Sequence, residues 1–278
     1  SYVDALIKEF RLTMRGSAKF PVHSIYFGGG TPSLISAAGY EKLISAVSTT
    51  FALSDDCEIS FEANPGTLSP KYLRHLCDVG FNRISLGVQS TDSFDLQRLD
   101  RIHTIDEVLS SMYSARKAGF ENINLDLIFG LPWQDLKSWE NSLKRAIYLG
   151  PQHFSIYSLI IEPGTPLFRW YERGLIAEKD EDLEAEMYEL TMAMLGDAGF
   201  GHYEISNWYK QSPKVDFRCR HNLQYWRNQP YFGFGASAHG YVDGKRTVNI
   251  PNLFNYLELM NDSEPDRQPF PAGPATVS

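Results

Sequence analysis

Asn122-Ile123-Asn124-Leu125-Asp126-Leu127-Ile128-Phe129-Gly130-Leu131-Pro132 decides the fold. It reads as a strand over 122–129, closed by Gly-Leu-Pro, with a helix expected over about 135–149. Asp126 falls out of the apolar set Ile123, Leu125 and Leu127, so it points to the other face of the strand. In a barrel that other face is the interior.

The same grammar extends in both directions. Upstream, 22–27 is a strand ending in Gly28-Gly29-Gly30, and a helix follows over 36–49. Cys57–Ala63 is a strand, Asn64-Pro65-Gly66 a turn, and Ser69-Pro70 opens a helix as N-cap followed by proline. Arg83–Val88 is a strand followed by helical stretches over 91–98 and 104–118. Downstream, His153–Ile160 is a strand closed by Glu162-Pro163-Gly164-Thr165-Pro166, and a helix covers 180–198. Five strand-then-helix units in succession predict an α/β fold with a parallel sheet and crossover helices. The helix over 3–14 has no strand before it. Residues 200–250 change texture to short strand-like pieces rich in Gly, Tyr, Trp and Asn, and a helix is expected over 251–260. The expected division is a barrel over 1–199, an extension over 200–262 and a linker or truncated start of a further domain over 263–278.

Composition narrows the function. The 278 residues are 43% hydrophobic, enough for a sizeable core. Lys and Arg number 26 against 34 Asp and Glu, a net charge of -8 that argues against nucleic acid as a partner. Three scattered cysteines, Cys57, Cys77 and Cys219, form no CxxC pair and no disulfide framework, which predicts a cytoplasmic protein. The opening on Ser1, running directly into a helix, leads us to expect a piece of a longer protein.

In parallel α/β folds, ligands bind at the C-terminal ends of the strands. Gly-Gly-Thr, Glu62 and Gln89 lie at three consecutive strand ends, and Asp126 lies on the fourth strand. Singly, each has a plain reading as a turn glycine, a solvated terminus or a paired structural residue. Together they supply what ribose hydroxyls and an ammonium group need, namely carboxylates, an amide and an approachable backbone.

Four segments in order, Phe27-Gly28-Gly29-Gly30-Thr31-Pro32-Ser33, Phe61-Glu62-Ala63-Asn64-Pro65, Ser85-Leu86-Gly87-Val88-Gln89-Ser90 and 124–132, resemble the oxygen-independent coproporphyrinogen III oxidase family of radical S-adenosylmethionine (SAM) proteins. The resemblance implies a partial (β/α)6 radical SAM barrel, here lacking its first strand and cluster loop, plus a small C-terminal α+β extension. It implies SAM bound beside a [4Fe–4S] cluster. Gly29, Gly30 and Thr31 would meet the methionine end of SAM. Glu62, Gln89, Arg101 and Asp126 would hold SAM, Arg101 at a carboxylate and Asp126 at the ribose hydroxyls, and Ile160 would contact the adenosyl part. His103, beside Arg101, is read as a surface histidine without a role. The family's CxxxCxxC motif is absent. Three such thiolates leave one iron open to bind and reduce the sulfonium; because the SAM positions remain, their absence is read as truncation rather than natural loss.

His221-Asn222-Leu223-Gln224-Tyr225-Trp226, with Tyr231–Gly240, resembles the haem-chaperone branch of the family. His221 is the expected haem-iron ligand, against the alternative of a histidine that fixes its loop. Tyr203–Trp208 also resembles that branch, without a task that the sequence reveals. The resemblance implies haem or porphyrin as cargo, an acceptor protein, an electron donor, and any membrane contact made peripherally through the acceptor. Two other functions stay open: oxidative decarboxylation of coproporphyrinogen III in porphyrin biosynthesis, and different radical chemistry on the same barrel.

Overall fold

A computed structural model describes residues 1–15, 19–177 and 180–262. The expected linker over 263–278 lies outside the described residues. The chain divides into two compact units. One comprises 1–26, 35–59 and 219 onward, the other 27–34 and 60–218. A seven-stranded sheet has the order β1-β2-β3-β4-β5-β7-β6. Two of its strands, β1 (Pro21–Phe27) and β2 (Ala52–Ala63), run covalently from the first unit into the second.

In the first unit, α1 (Tyr2–Thr13) starts with a capping box between Ser1 and Asp4. It packs against α2 (Ala37–Thr50), which Ser36 caps. Phe10 of α1 meets Phe234 edge-on at 4.7 Å, and Phe51 lies 6.0 Å from the same ring.

The rest of this unit lies beyond Arg218. It holds α9 (Arg220–Trp226), the hairpin β8 (His239–Val242) and β9 (Lys245–Val248), and α10 (Leu253–Asp262), which packs on α1. The hairpin turns through Asp243 and Gly244, both at positive φ, as a two-residue turn matching strand twist requires. Gly233 has a different constraint. A Cβ there would overlap the carbonyl of His239.

The second unit opens with the 3₁₀ turn Pro32–Leu34. Ser60–Ala63 of β2 pair in parallel with Arg83–Leu86 of β3 (Arg83–Gln89). Next come β4 (Asn122–Phe129) and β5 (His153–Ser158), both parallel. Helix α3 (Pro70–Val79) follows β2, with Ser69 as N-cap and Gly80 at φ 113° as the left-handed C-cap. It packs against α5 (Ile105–Ala118), which has a Thr104/Glu107 capping box. The short α4 (Ser93–Arg98) lies between β3 and α5. After β4 comes α6 (Leu136–Tyr148), packed on α8 (Glu181–Asp197). Phe61, Ile84, Leu86, Ile123, Leu125, Leu127, Trp139 and Phe154 are fully buried, so the apolar parity of the strands builds the core.

The expected alternation of five units is present, with four local differences. The strand predicted from Cys57 begins at Ala52. The strand predicted to Ile160 ends at Ser158, because residues 159–165 turn into a helix the sequence reading missed, α7 (Pro166–Glu172), capped by Thr165 with proline at N1. Residues 220–226, read as part of a stretch of short strand-like pieces, form α9. Finally, β6 (Phe200–Glu204) and β7 (Asn207–Lys210) are antiparallel and extend the main sheet through Ser155↔Asn207.

Candidate functional site

In the second unit, Gly29, Gly30, Thr31, Glu62 and Gln89 fall at or near strand ends, Asp126 lies within β4, and Arg101 follows the short α4. Gly29 and Gly30 follow β1 at φ 81° and 57°, with open space where a Cβ would stand. The backbone here can approach a ligand closely, and any other residue would be strained. Glu62, near the end of β2, accepts a hydrogen bond from the Gly29 N–H at 3.3 Å. Gln89 ends β3 at φ 67°, a strained conformation for a residue with a side chain, where the register with β4 slips. Its amide nitrogen stands over Gly87, 3.1 Å from where a Cβ would be.

Asp126 lies on β4, opposite Ser155 of β5, on the face away from Leu125 and Leu127. It is half-buried, accepting from Ser85 Oγ at 2.9 Å and Asn124 Nδ2 at 2.7 Å. Burial raises its carboxyl to about 6. The two hydrogen bonds oppose that rise, the Glu62 charge adds to it and Arg83 subtracts. A carboxylate with two fixed donors and a raised pKa is ready to accept a hydroxyl pair. Arg101 is half-buried and Ile160 is 73% exposed. Neither these nor Thr31 makes a side-chain hydrogen bond to the other predicted residues among those described. Gly29 and Glu62 are thus joined directly, and Glu62 and Asp126 electrostatically.

His103 corrects its expectation. It is 5% exposed, and its Nε2 lies 3.0 Å from the Val88 carbonyl. A carbonyl only accepts, so Nε2 carries the proton. Burial lowers the pKa of this ring, which in neutral form ties the segment before α5 to β3.

The sequence reading also missed a polar row on the Asp126 face. Asn124 and Ser155 are buried, and His153 is fully so. The Asn124 amide reaches Ser85 Oγ at 2.6 Å and Asp126, and its oxygen lies 2.6 Å from His153 Nδ1. His153 Nε2 meets Tyr203 OH at 2.9 Å. The alternation of Asn122, Asn124 and Asp126 was the available signal.

These residues fit SAM, with an open glycine backbone, a carboxylate fixing that backbone, a second carboxylate with free acceptor capacity and an exposed aliphatic side chain. They do not fit a cluster. Among the described residues no group of three His, Cys, Asp or Glu side chains is placed to hold a metal. Cys57 and Cys77 are thiols pushed up to about 11, mainly by burial. Also among the described residues, no helix is long and apolar enough to cross a membrane.

In the first unit, His221 sits in the first turn of α9. Its ring stacks on Tyr26 at 5.0 Å and 8°, and Nε2 lies 3.1 Å from Tyr225 OH. Buried Glu58 holds the helix start, accepting from Arg220 N–H and His221 N–H at 3.2 Å each and from the Cys219 thiol at 3.6 Å. Tyr225 and Trp226 expose 46% and 53% of their surface, leaving apolar faces beside the histidine.

Residues 7–146 match the model of the Radical SAM superfamily. The chain is 40% identical over 260 residues to "Heme chaperone HemW" of Bacillus subtilis, covering 93% of this chain and 68% of that protein. It is 38% identical over 261 residues to the protein of the same name in Lactococcus lactis, covering 93% and 66%. It thus spans about two thirds of the length of these relatives. Among solved structures it is similar to the E. coli coproporphyrinogen III oxidase HemN, a radical SAM enzyme. The TM-score is 0.78 and the identity 24%, over 94% of this chain and 62% of that one, which shows a shared fold. The sheet is accordingly the partial radical SAM barrel, and the chain belongs to the HemW family of the radical SAM superfamily.

Proposed function

We propose that this chain is the barrel and haem-ligand segment of a haem chaperone that binds haem and passes it to an acceptor protein, with SAM and a [4Fe–4S] cluster serving the intact protein. The observation that carries this reading is the 40% identity over 93% of the chain to a haem chaperone. The likeness to the oxidase is one of fold, so decarboxylation of coproporphyrinogen is the reading to test against.

The residues divide the work. Gly29, Gly30 and Thr31 offer backbone groups to the methionine end of SAM, and Glu62 orients that loop. Asp126 accepts the ribose hydroxyls, Gln89 and Arg101 hold the polar end, and Ile160 packs on the adenosyl part. Bound SAM supplies a reducible sulfonium. His221 ligates the haem iron through Nε2, giving up its contact with Tyr225 OH, while Tyr225 and Trp226 cover porphyrin surface. The haem acceptor and an electron donor are the partners, and the cytoplasm is the proposed compartment.

The test is a haem titration of the full-length protein and its His221→Ala variant, with coproporphyrinogen turnover measured on the same samples. Stoichiometric haem uptake that weakens at least about tenfold in the variant, without decarboxylation, is expected. Turnover without specific haem uptake would make the protein an oxidase.

A further inference from the structure

Tyr203–Trp208 resembles the haem-chaperone branch but has no task in the function above. Its place in the second unit supplies one. The turn between β6 and β7 brings Tyr203 to His153 and Asn207 to Ser155, both on β5. Glu204 accepts from Asn207 Nδ2 and, at 3.2 Å, from Ser206 N–H.

The direction of each bond from Asp126 to Tyr203 is determined. The carboxylate of Asp126 only accepts, so the Asn124 NH₂ faces it and Ser85 Oγ. The Asn124 carbonyl therefore faces His153, and Nδ1 must donate to it. Neutral imidazole then has its lone pair on Nε2, so Tyr203 OH donates there. His153 is held well below its ordinary pKa, first by desolvation and then by the Arg83 charge, which keeps it neutral. At the other end, Glu204 forces the Asn207 NH₂ toward itself, and the Asn207 oxygen accepts from Ser155 Oγ at 2.7 Å. Ser155 Oγ also lies 3.2 Å from the Asn124 oxygen.

We infer that the Tyr203–Trp208 turn is a positioning element for the SAM site, orienting Asp126 through Tyr203, His153 and Asn124. The inference rests on the reading of Asp126 as the ribose-binding carboxylate. The Tyr203 hydroxyl fixes the His153 tautomer, the tautomer fixes the Asn124 amide, and the amide holds one oxygen of Asp126 while Ser85 holds the other. Without that hydroxyl, His153 can move its proton to Nε2. Two acceptors then face each other at Nδ1 and Asn124 Oδ1, which frees the amide to turn away from Asp126.

The charged and titratable groups around Asp126 are Glu62 on β2, Arg83 on β3, His153 and Tyr157 on β5, and Glu204 beyond them. All are kept in the variants used. SAM affinity of the full-length reconstituted protein is measured against pH for wild type, Asp126→Asn, Ser85→Ala and Tyr203→Phe. Imidazole NMR of wild type reports the His153 tautomer.

Wild-type affinity is expected to fall as pH drops through about 6, and Asp126→Asn to lose that dependence. Removing a donor raises the carboxyl pKa, so Ser85→Ala should move the midpoint up by about 1 pH unit and Tyr203→Phe by about half that. Loss of the dependence in Asp126→Asn with a wild-type midpoint in Tyr203→Phe would overturn the relay and leave the reading of Asp126 standing. A wild-type pH profile in Asp126→Asn would remove that reading itself. Should Tyr203→Phe fail to fold, the wild-type spectrum decides. A proton on Nδ1 supports the relay, and one on Nε2 overturns it.

Discussion

Glu9 in the first unit and Asp126 in the second are both carboxyls raised by burial, yet they are finished differently. Glu9, 3% exposed, takes three donors: Gly235 N–H at 2.9 Å, Tyr256 OH at 2.7 Å and Asn249 Nδ2 at 2.7 Å. These tie α1 to the loop after α9, to the end of the hairpin and to α10. Desolvation still outweighs them, so its pKa is raised. Asp126 takes two donors and stays half-buried, with acceptor capacity left over. A saturated carboxylate holds structure together, whereas an under-saturated one is held ready for a ligand.

The largest effect should come from Glu9→Gln. An amide offers one acceptor oxygen and two N–H groups to a site built entirely of donors, so at least one buried donor loses its partner. The expected loss is about 3 kcal/mol of unfolding free energy, read by denaturant titration. An unchanged midpoint would mean that the three bonds are dispensable and the contrast with Asp126 is false.

Asp126→Asn should act in the opposite direction. Its folded pKa of about 6 exceeds the ordinary 3.8, so the stability this group contributes is present below 3.8 and lost as pH rises through about 6. Asp126 Oδ2 faces the Ser85 hydroxyl, which can turn to accept from the new amide where the N–H donors around Glu9 cannot, so removing the charge should stabilise the SAM-free protein by about 2 kcal/mol near neutral pH and have no stabilising effect in acid. The same substitution should weaken SAM binding about tenfold, the usual opposition of stability and function at a site. Stabilisation without weaker binding would make Asp126 a second structural carboxyl.

Sequence patterning exposed Asp126 and left Glu9 invisible, for a physical reason. Strand parity is local, so an Asp among Ile123, Leu125 and Leu127 declares its face. The cap at Ser69-Pro70 was local too, although the equivalent Thr165-Pro166 signature went unread. Pairing is not local. Ser85 meets Asn124, Asp126 meets Ser155 and Ser155 meets Asn207 only through sheet register. Glu9 lies at a helix position where an exposed acid is the ordinary expectation, and its donors lie more than 220 residues away. His103 misled for the same reason, since the acceptor that buries it is a backbone carbonyl.

Glu58 gives the smallest and most discriminating test, because it is a saturated carboxylate beside a proposed ligand. It is 7% exposed and accepts from two N–H groups and a thiol at the start of α9. The nearby Arg220–Asp56 ion pair is exposed on both sides and should contribute little. Glu58→Gln keeps one acceptor oxygen and loses the charge at the helix start, so about 1 kcal/mol of stability should go. The His221 ring keeps its stacking on Tyr26, but its backbone N–H loses a fixed anchor, and haem affinity should fall about threefold, by less than 1 kcal/mol. A threefold loss of haem affinity with SAM affinity unchanged would show one saturated carboxylate serving function by holding the ligand's backbone. Lost stability with wild-type haem affinity would place Glu58 with Glu9 as purely structural, and would leave the stack on Tyr26 to orient His221.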